Sequence, residues 1–238
     1  AEAVRDKKAE VIQAIRPVRW PMRDAVRGQY DGGTVLGKPA NAYRREPDVA
    51  PDSKVETYVA MELAVDNWRW AGVPFYIRTG KHLADRKTEI AIRFKQAPSA
   101  PFDDTPVDSL RPNWLVLRIQ PDEGISLQFE VKRPGPVVEL AAVKMDFHYS
   151  DWFPREPAVG YETLLYDVMT GDPTLFMRAD TVEQAWRIVQ PLLDAWQDET
   201  KPIPLYASGS QGPIEADELI NGSGRLWRPV ELPAALRD

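Results

Sequence analysis

Several stretches alternate apolar and polar side chains with a period of two, and this alternation limits the fold more than any other feature. Residues 55–65 set Val55, Thr57, Val59, Met61, Leu63 and Val65 against Glu56, Tyr58, Ala60, Glu62 and Ala64. TEIAIRFK sets Ile90, Ile92 and Phe94 against Ala91, Arg93 and Lys95, and NWLVLRIQ sets Leu115, Leu117 and Ile119 against Trp114, Val116, Arg118 and Gln120. ISLQFEVKRPG and VKMDFHYS repeat the pattern through Leu127, Phe129 and Val131, then Val143, Met145 and Phe147. Successive residues of a strand face opposite ways, so each stretch predicts a strand with one face on a core. The connections from residue 88 onward carry no helical pattern and are short enough for antiparallel neighbours.

The remainder reads as helix and loop. RDKKAEVIQAIRP has Val11, Ile12 and Ile15 on one face, with Pro17 as its stop. MRDAVRGQYDGG predicts a short strand entering a turn, and residues 31–54 a long surface loop. Asp66 is placed to cap a short helix, NWRWAG. YETLLYDVMTG carries a stripe of Leu164, Leu165 and Val168 and ends at Gly171. Asp180 and Glu183 have capping-box spacing before DTVEQAWRIVQPLLDAW, inside which Pro191 predicts a kink or break. A loop, KPIPLYASGSQGP, leads to a last short helix, IEADELI. Strands in one block and helices in another predict an α+β fold: a large, mainly antiparallel β-sheet with helices packed on one face.

Composition sets the class of partner. The 238 residues, 43% hydrophobic and 28% charged, suffice for one large core or two small ones. A net charge of −6 argues against nucleic acid as the main partner. Absence of cysteine excludes disulfides, thiol nucleophiles and Cys-ligated zinc. No apolar run approaches the roughly 20 residues of a membrane span. The charged opening AEAVRDKKAE is not a secretory signal. A cytoplasmic protein is expected, and the missing initiator Met points to a processed or cut chain.

Self-sufficient catalytic motifs are missing: G-x-G-x-x-G after a strand, a Walker loop and H-E-x-x-H do not occur. The two histidines, His82 and His148, are weak grounds for a metal site. The best chemical candidate is the basic turn in YIRTGKHLADRK, with Arg78, Lys81, His82, Arg86 and Lys87. Gly80 permits a tight turn. Lys81 and Arg86 are close enough in sequence to meet one small anion, the lysine as a mobile point charge and the arginine as a flat fork. The other reading is a solvated turn with ordinary surface cations, and composition alone favours it. Trp68 and Trp70 read as core or interface anchors rather than sugar platforms. Glu215, Asp217 and Glu218 read as acids complementing a helix start, and Asp104 and Asp108 as loop solvation.

VPFYIRTGKHLADRKTEI resembles the substrate-side segment of the glucose-6-phosphate dehydrogenases. RGQY (27–30), VDNWRWAGVPF, LRIQPDEG, YETLLYDVMTGDPTLFMRADTVEQAWRIVQPLL and GPIEADEL resemble the same family in the same order, from about residue 2 to about residue 230. The resemblance implies the family's C-terminal domain, with residues 1–20 leading in from an N-terminal domain and 21–238 forming the α+β domain. It implies an N-terminal Rossmann-like domain outside these residues, holding NADP, the H-Y-L-G-K-E segment and the His–Asp pair that takes the C1 hydroxyl proton. Neither His82 nor His148 falls in that motif.

Carried over residue by residue, the resemblance makes Lys81, Arg86 and Gln120 contacts for glucose 6-phosphate, which reverses the weighting of the basic turn for the first two. Arg78, Lys87, Arg118 and Asp146 match parts of a second, structural NADP site found in some members. Ala91, Ser126, Gln128 and Gln211 stand where that site has basic or aromatic groups, so a structural NADP is not expected, and Arg78 is expected in an internal ion-pair network. A homodimer or homotetramer is implied, through the sheet face that carries Tyr58, Ala60, Trp114 and Val116. The expected role is a sugar-phosphate wall and subunit interface, with no catalysis by these residues alone; the alternative is a non-catalytic, self-associating scaffold.

Overall fold

The computed structural model describes residues 2–97, 110–153 and 160–228. The chain divides into two compact units, Ala1–Asp85 with Ala158–Asp238, and Arg86–Pro157. Asp104 and Asp108 lie outside the described residues.

In the first unit, helix α1 (Glu2–Ala14) runs into strand β1 (Ile15–Arg16). One helical turn, α2 (Pro21–Asp24), precedes β2 (Ala25–Val35) and β3 (Lys38–Ala40); then come β4 (Tyr58–Val65) and β5 (Pro74–Gly80). In the second unit, β6 (Thr88–Arg93), β7 (Trp114–Gln120), β8 (Gly124–Lys132) and β9 (Leu140–His148) follow. The chain re-enters the first unit with α3 (Gly160–Thr170), α4 (Ala179–Gln197), β10 (Leu205–Ser208) and α5 (Glu215–Asn221).

The α+β class and the antiparallel pairing hold, but the strands divide between two sheets. The first unit builds a six-stranded sheet in the order β1-β4-β2-β10, with β3 on β2 and β5 on β4; the second builds β6-β7-β8-β9. One pair, β10 on β2, is parallel. Parallel neighbours need a long crossover, and residues 36–204 lie between these two strands.

Strand β4 is buried on both faces rather than one. Met61 and Leu63 join a core with Val18, Ala25, Ile188, Leu192 and Trp196, and Val59 packs against it. Ile188, Leu192 and Trp196 are four apart, so one stripe of α4 covers this face. The opposite face puts Tyr58 and Ala60 into a second core with Tyr30, Tyr206 and Ala216, against which Leu219 of α5 packs. The helices α1 and α4 therefore cover one face as expected, and α5 covers part of the other. This removes Tyr58 and Ala60, 1% and 0% exposed, from the expected subunit interface, and Val116 is buried too.

The four-stranded sheet reverses the expected faces. Ile90, Leu117, Ile125 and Phe147 lie in register across β6 to β9, and Leu115, Leu127 and Met145 beside them. Yet Ile90, Ile125 and Met145 are exposed, whereas the buried residues are Val116 and Ser126 of the charged face. Alternation marks two faces but not which one is covered.

Local differences have local causes. Residues 66–72 form turns rather than a helix. Asn67, not Asp66, caps them by accepting the Trp70 N–H at 2.9 Å, while Asp66 pairs with Arg16 at 2.5 Å. Trp68 is fully exposed among the described residues rather than a core anchor; Trp70 meets Phe75 edge-on at 5.4 Å. The capping box is absent: Asp180 accepts the Thr181 N–H and pairs with Arg178 instead. α4 is continuous across Pro191. The stripe of α3 stays uncovered, with Leu165 and Val168 exposed. Part of the expected loop 31–54 is the β2–β3 hairpin, and Gln29 holds the rest. Its amide donates to Ser53 O and Val55 O at 2.9 and 2.7 Å and accepts from Arg44 at 2.9 Å.

Candidate functional site

Lys81 follows the last residue of β5 and has an exposed side chain on a tightly held backbone. Its N–H donates to Thr57 O at 2.8 Å, and its carbonyl accepts the Tyr206 hydroxyl at 2.7 Å. Burial pushes the Tyr206 hydroxyl above its ordinary pKa, which keeps this donor protonated. Two residues on, Leu83 packs into the core of Tyr58 and Tyr206, and the Ala84 N–H donates to Ser210 O at 2.9 Å. The turn is thus fastened by β10 and the loop after it, so the lysine ammonium is the mobile part of a fixed stem.

Gly80, expected to permit the tight turn, does not have a positive φ. A Cβ there would stand 2.6 Å from Tyr58 Cδ2, so glycine is needed for space against a buried ring. The left-handed residue is His82, at φ 51°. Its ring stacks on Tyr30 at 4.0 Å and 30°, its Nδ1 lies 3.2 Å from Ser208 Oγ, and its carbonyl accepts the Gly209 N–H at 2.7 Å. Sequence reasoning named His82 and Tyr30 but gave them no part in the site, and it passed over Tyr206 and Ser208, which lie more than a hundred positions away, so no local signal could link them to the turn.

Arg86 opens the second unit, and its side chain is exposed. Gln120, at the end of β7, is opposite Thr88 in the β6–β7 register and donates to its hydroxyl at 3.3 Å. The sheet therefore brings Gln120 to the stretch that Arg86 begins. Lys81 belongs to the other unit.

The residues matched to a second nucleotide site are divided between the two units. Arg78, in the first unit, stacks over Trp227 at 4.7 Å, a cation–π contact rather than the expected ion-pair network. In the second unit, Lys87 pairs with Glu89 at 2.9 Å. Arg118 pairs with Asp146 at 3.2 Å and lies 3.3 Å from His148 Nε2. Lys144 pairs with the same carboxylate at 3.2 Å, and the Ser126 hydroxyl donates to it. Lys87, Arg118 and Lys144 are thus answered by carboxylates of the same unit, and Ser126 and Gln128 add no charge.

Burial raises the Asp146 carboxyl, but hydrogen bonds from Ser126 and Lys144 and the nearby charges of Lys144 and Arg118 outweigh it and hold the group below its ordinary range. A depressed carboxyl stabilises the fold above its unfolded-state pKa, and that stability goes as pH falls through the folded-state value. Asp146→Asn should therefore lower the thermal midpoint at neutral pH, with mutant and parent converging in acid. Parallel melting curves across that range check this; a constant gap would refute it.

The family described as Glucose-6-phosphate dehydrogenase, C-terminal domain, matches residues 1–228. The glucose-6-phosphate 1-dehydrogenase of Chlamydia pneumoniae is 43% identical over 233 residues, 97% of this chain and 45% of that protein. That of Mycolicibacterium smegmatis is 43% identical over 228 residues, 95% of this chain and 46% of its own length. The chain thus spans about half the length of the curated relatives it matches. Among solved structures, the Mycobacterium avium enzyme superimposes with a TM-score of 0.77 at 37% identity, over 98% of this chain and 46% of that one. A glucose-6-phosphate dehydrogenase in complex with its substrate glucose-6-phosphate gives 0.82 at 33% identity, over 96% and 46%.

Proposed function

Because the chain belongs to the glucose-6-phosphate dehydrogenase C-terminal domain family, we propose that it supplies part of the sugar-phosphate pocket of an NADP-dependent glucose-6-phosphate dehydrogenase. Lys81, Arg86 and Gln120 are the substrate contacts in this reading. The intact enzyme moves hydride from C1 of β-D-glucose 6-phosphate to NADP and gives 6-phosphogluconolactone. The observation that carries the reading is the fixing of Lys81: both its backbone groups are bonded while its ammonium stays exposed. A pre-set stem of this kind lowers the ordering cost of holding a phosphate.

The division of labour follows from the chemistry present. A phosphate dianion is met by a point charge at Lys81 and a bidentate fork at Arg86. Gln120 offers neutral hydrogen bonds to the sugar. NADP, when bound, accepts the hydride; residues of an N-terminal Rossmann-like domain hold it, and residues 1–20 of this chain lead in from that domain. No helix among the described residues is long and apolar enough to cross a membrane, and we place the enzyme in the cytoplasm.

The exposed apolar face of the four-stranded sheet, with Ile90, Ile125 and Met145, favours self-association into a homodimer or homotetramer. The same face supports the second reading, a scaffold without a ligand. One set of measurements separates them. Full-length protein should reduce NADP only when glucose 6-phosphate is added, and the 238-residue chain should not. Turnover by the short chain, or a full-length protein blind to glucose 6-phosphate in both turnover and sedimentation, would overturn the leading reading.

A further inference from the structure

His82 is a residue of the basic turn that neither the fold class nor the substrate reading explains. A left-handed conformation at a residue with a Cβ costs about 1 kcal/mol, and Gly80, two residues earlier, does not adopt it. Such a conformation persists where the surroundings over-determine it. Here they do so three times, through the Tyr30 stack, the Ser208 contact and the Gly209 N–H.

The hydrogen-bond directions are fixed. Ser208 Oγ lies 2.7 Å from the Asp31 carbonyl, which can only accept, so the single hydroxyl proton goes there. Its contact with His82 must then run from the ring, and Nδ1 carries the proton. The imidazole is held in one tautomer and one plane, bonded at one edge and stacked on one face. The backbone immediately before it is that of Lys81, whose carbonyl leads into the His82 N–H.

We propose that His82 is a positioning residue for substrate binding: its ring locks the left-handed turn that sets the direction in which Lys81 leaves the sheet. This rests on the reading of Lys81 as a phosphate contact. Without the ring the stem can relax, and the ammonium samples directions away from the anion.

The test uses the full-length enzyme and steady-state kinetics. His82→Ala should raise the KM for glucose 6-phosphate about tenfold, the scale of one or two lost hydrogen bonds, with kcat within about twofold and the KM for NADP unchanged. His82→Gly, which accepts the left-handed φ without strain, should behave like His82→Ala, because the ring and not the φ does the positioning. His82→Asn, which also tolerates this φ and keeps a donor for Ser208, should recover most of the affinity. In a Lys81→Ala background, His82→Ala should add little. A native KM in His82→Gly, or an undiminished His82→Ala effect in that background, overturns the positioning role and leaves the Lys81 reading intact. A native KM in Lys81→Ala alone overturns both. Should His82→Ala fail to fold, Ser208→Ala removes the ring's partner and should raise KM in the same direction.

Discussion

Lys81→Ala in the full-length enzyme is expected to raise the KM for glucose 6-phosphate by roughly 10- to 150-fold, the span of one lost charged hydrogen bond of about 1.5–3 kcal/mol. The loss should fall on binding rather than on chemistry, because a phosphate remote from C1 is held equally in ground and transition states. The KM for NADP should not move. Lys81→Arg should recover part of the affinity: it restores the charge but presents it as a planar fork on a stem directed for an ammonium. The defect should narrow as salt rises, since an exposed charge contact is screened over about 8 Å at physiological ionic strength. Unchanged KM in Lys81→Ala would remove this residue from the pocket.

Trp196→Ala is expected to cost about 3–5 kcal/mol of folding stability. Trp196 is 3% exposed and closes the core between α4 and β4. It also carries the Arg27 guanidinium over its ring at 5.7 Å, so its removal strands a buried cation. Trp68→Ala is the matched control. That ring is fully exposed among the described residues, and its removal should stay within about 0.5 kcal/mol. Urea unfolding of the 238-residue chain, followed by circular dichroism, reads both. Equal midpoints for the two variants would show that the α4 face is not where the unit keeps its stability.

These two tryptophans mark how far the sequence could be read. Trp68 stands in a segment with helical and strand signals on either side and was expected to anchor something; Trp196 closes a buried stripe with Ile188 and Leu192 that the reading of caps and of Pro191 did not single out. Alternation identified strands β4 and β6 to β9 because the period of two is a property of the backbone and needs no partner. It could not tell that both faces of β4 are covered, or that the charged face of the second sheet is the buried one. Coverage depends on which elements return to the sheet, and α5 and β10 return from the far end of the chain. The same reason hid the support of the basic turn. Its cations were legible as a charge cluster, but whether they were a solvated surface or an organised site depended on Tyr206 and Ser208.

By itself, then, the sequence determined the period of β4 and of β6 to β9, the helical class of α1, α3, α4 and α5, the acidic and cysteine-free composition, and the ordered set of motifs that carries the family. The tertiary structure alone decided that the strands form two sheets and that Gly80 provides space while His82 provides the turn. It also decided that Lys81 leaves a backbone bonded on both sides. Local propensity and side-chain period act within a few residues and are written into neighbouring letters. Burial, strain and the direction of a hydrogen bond are set by groups that meet only when distant segments pack.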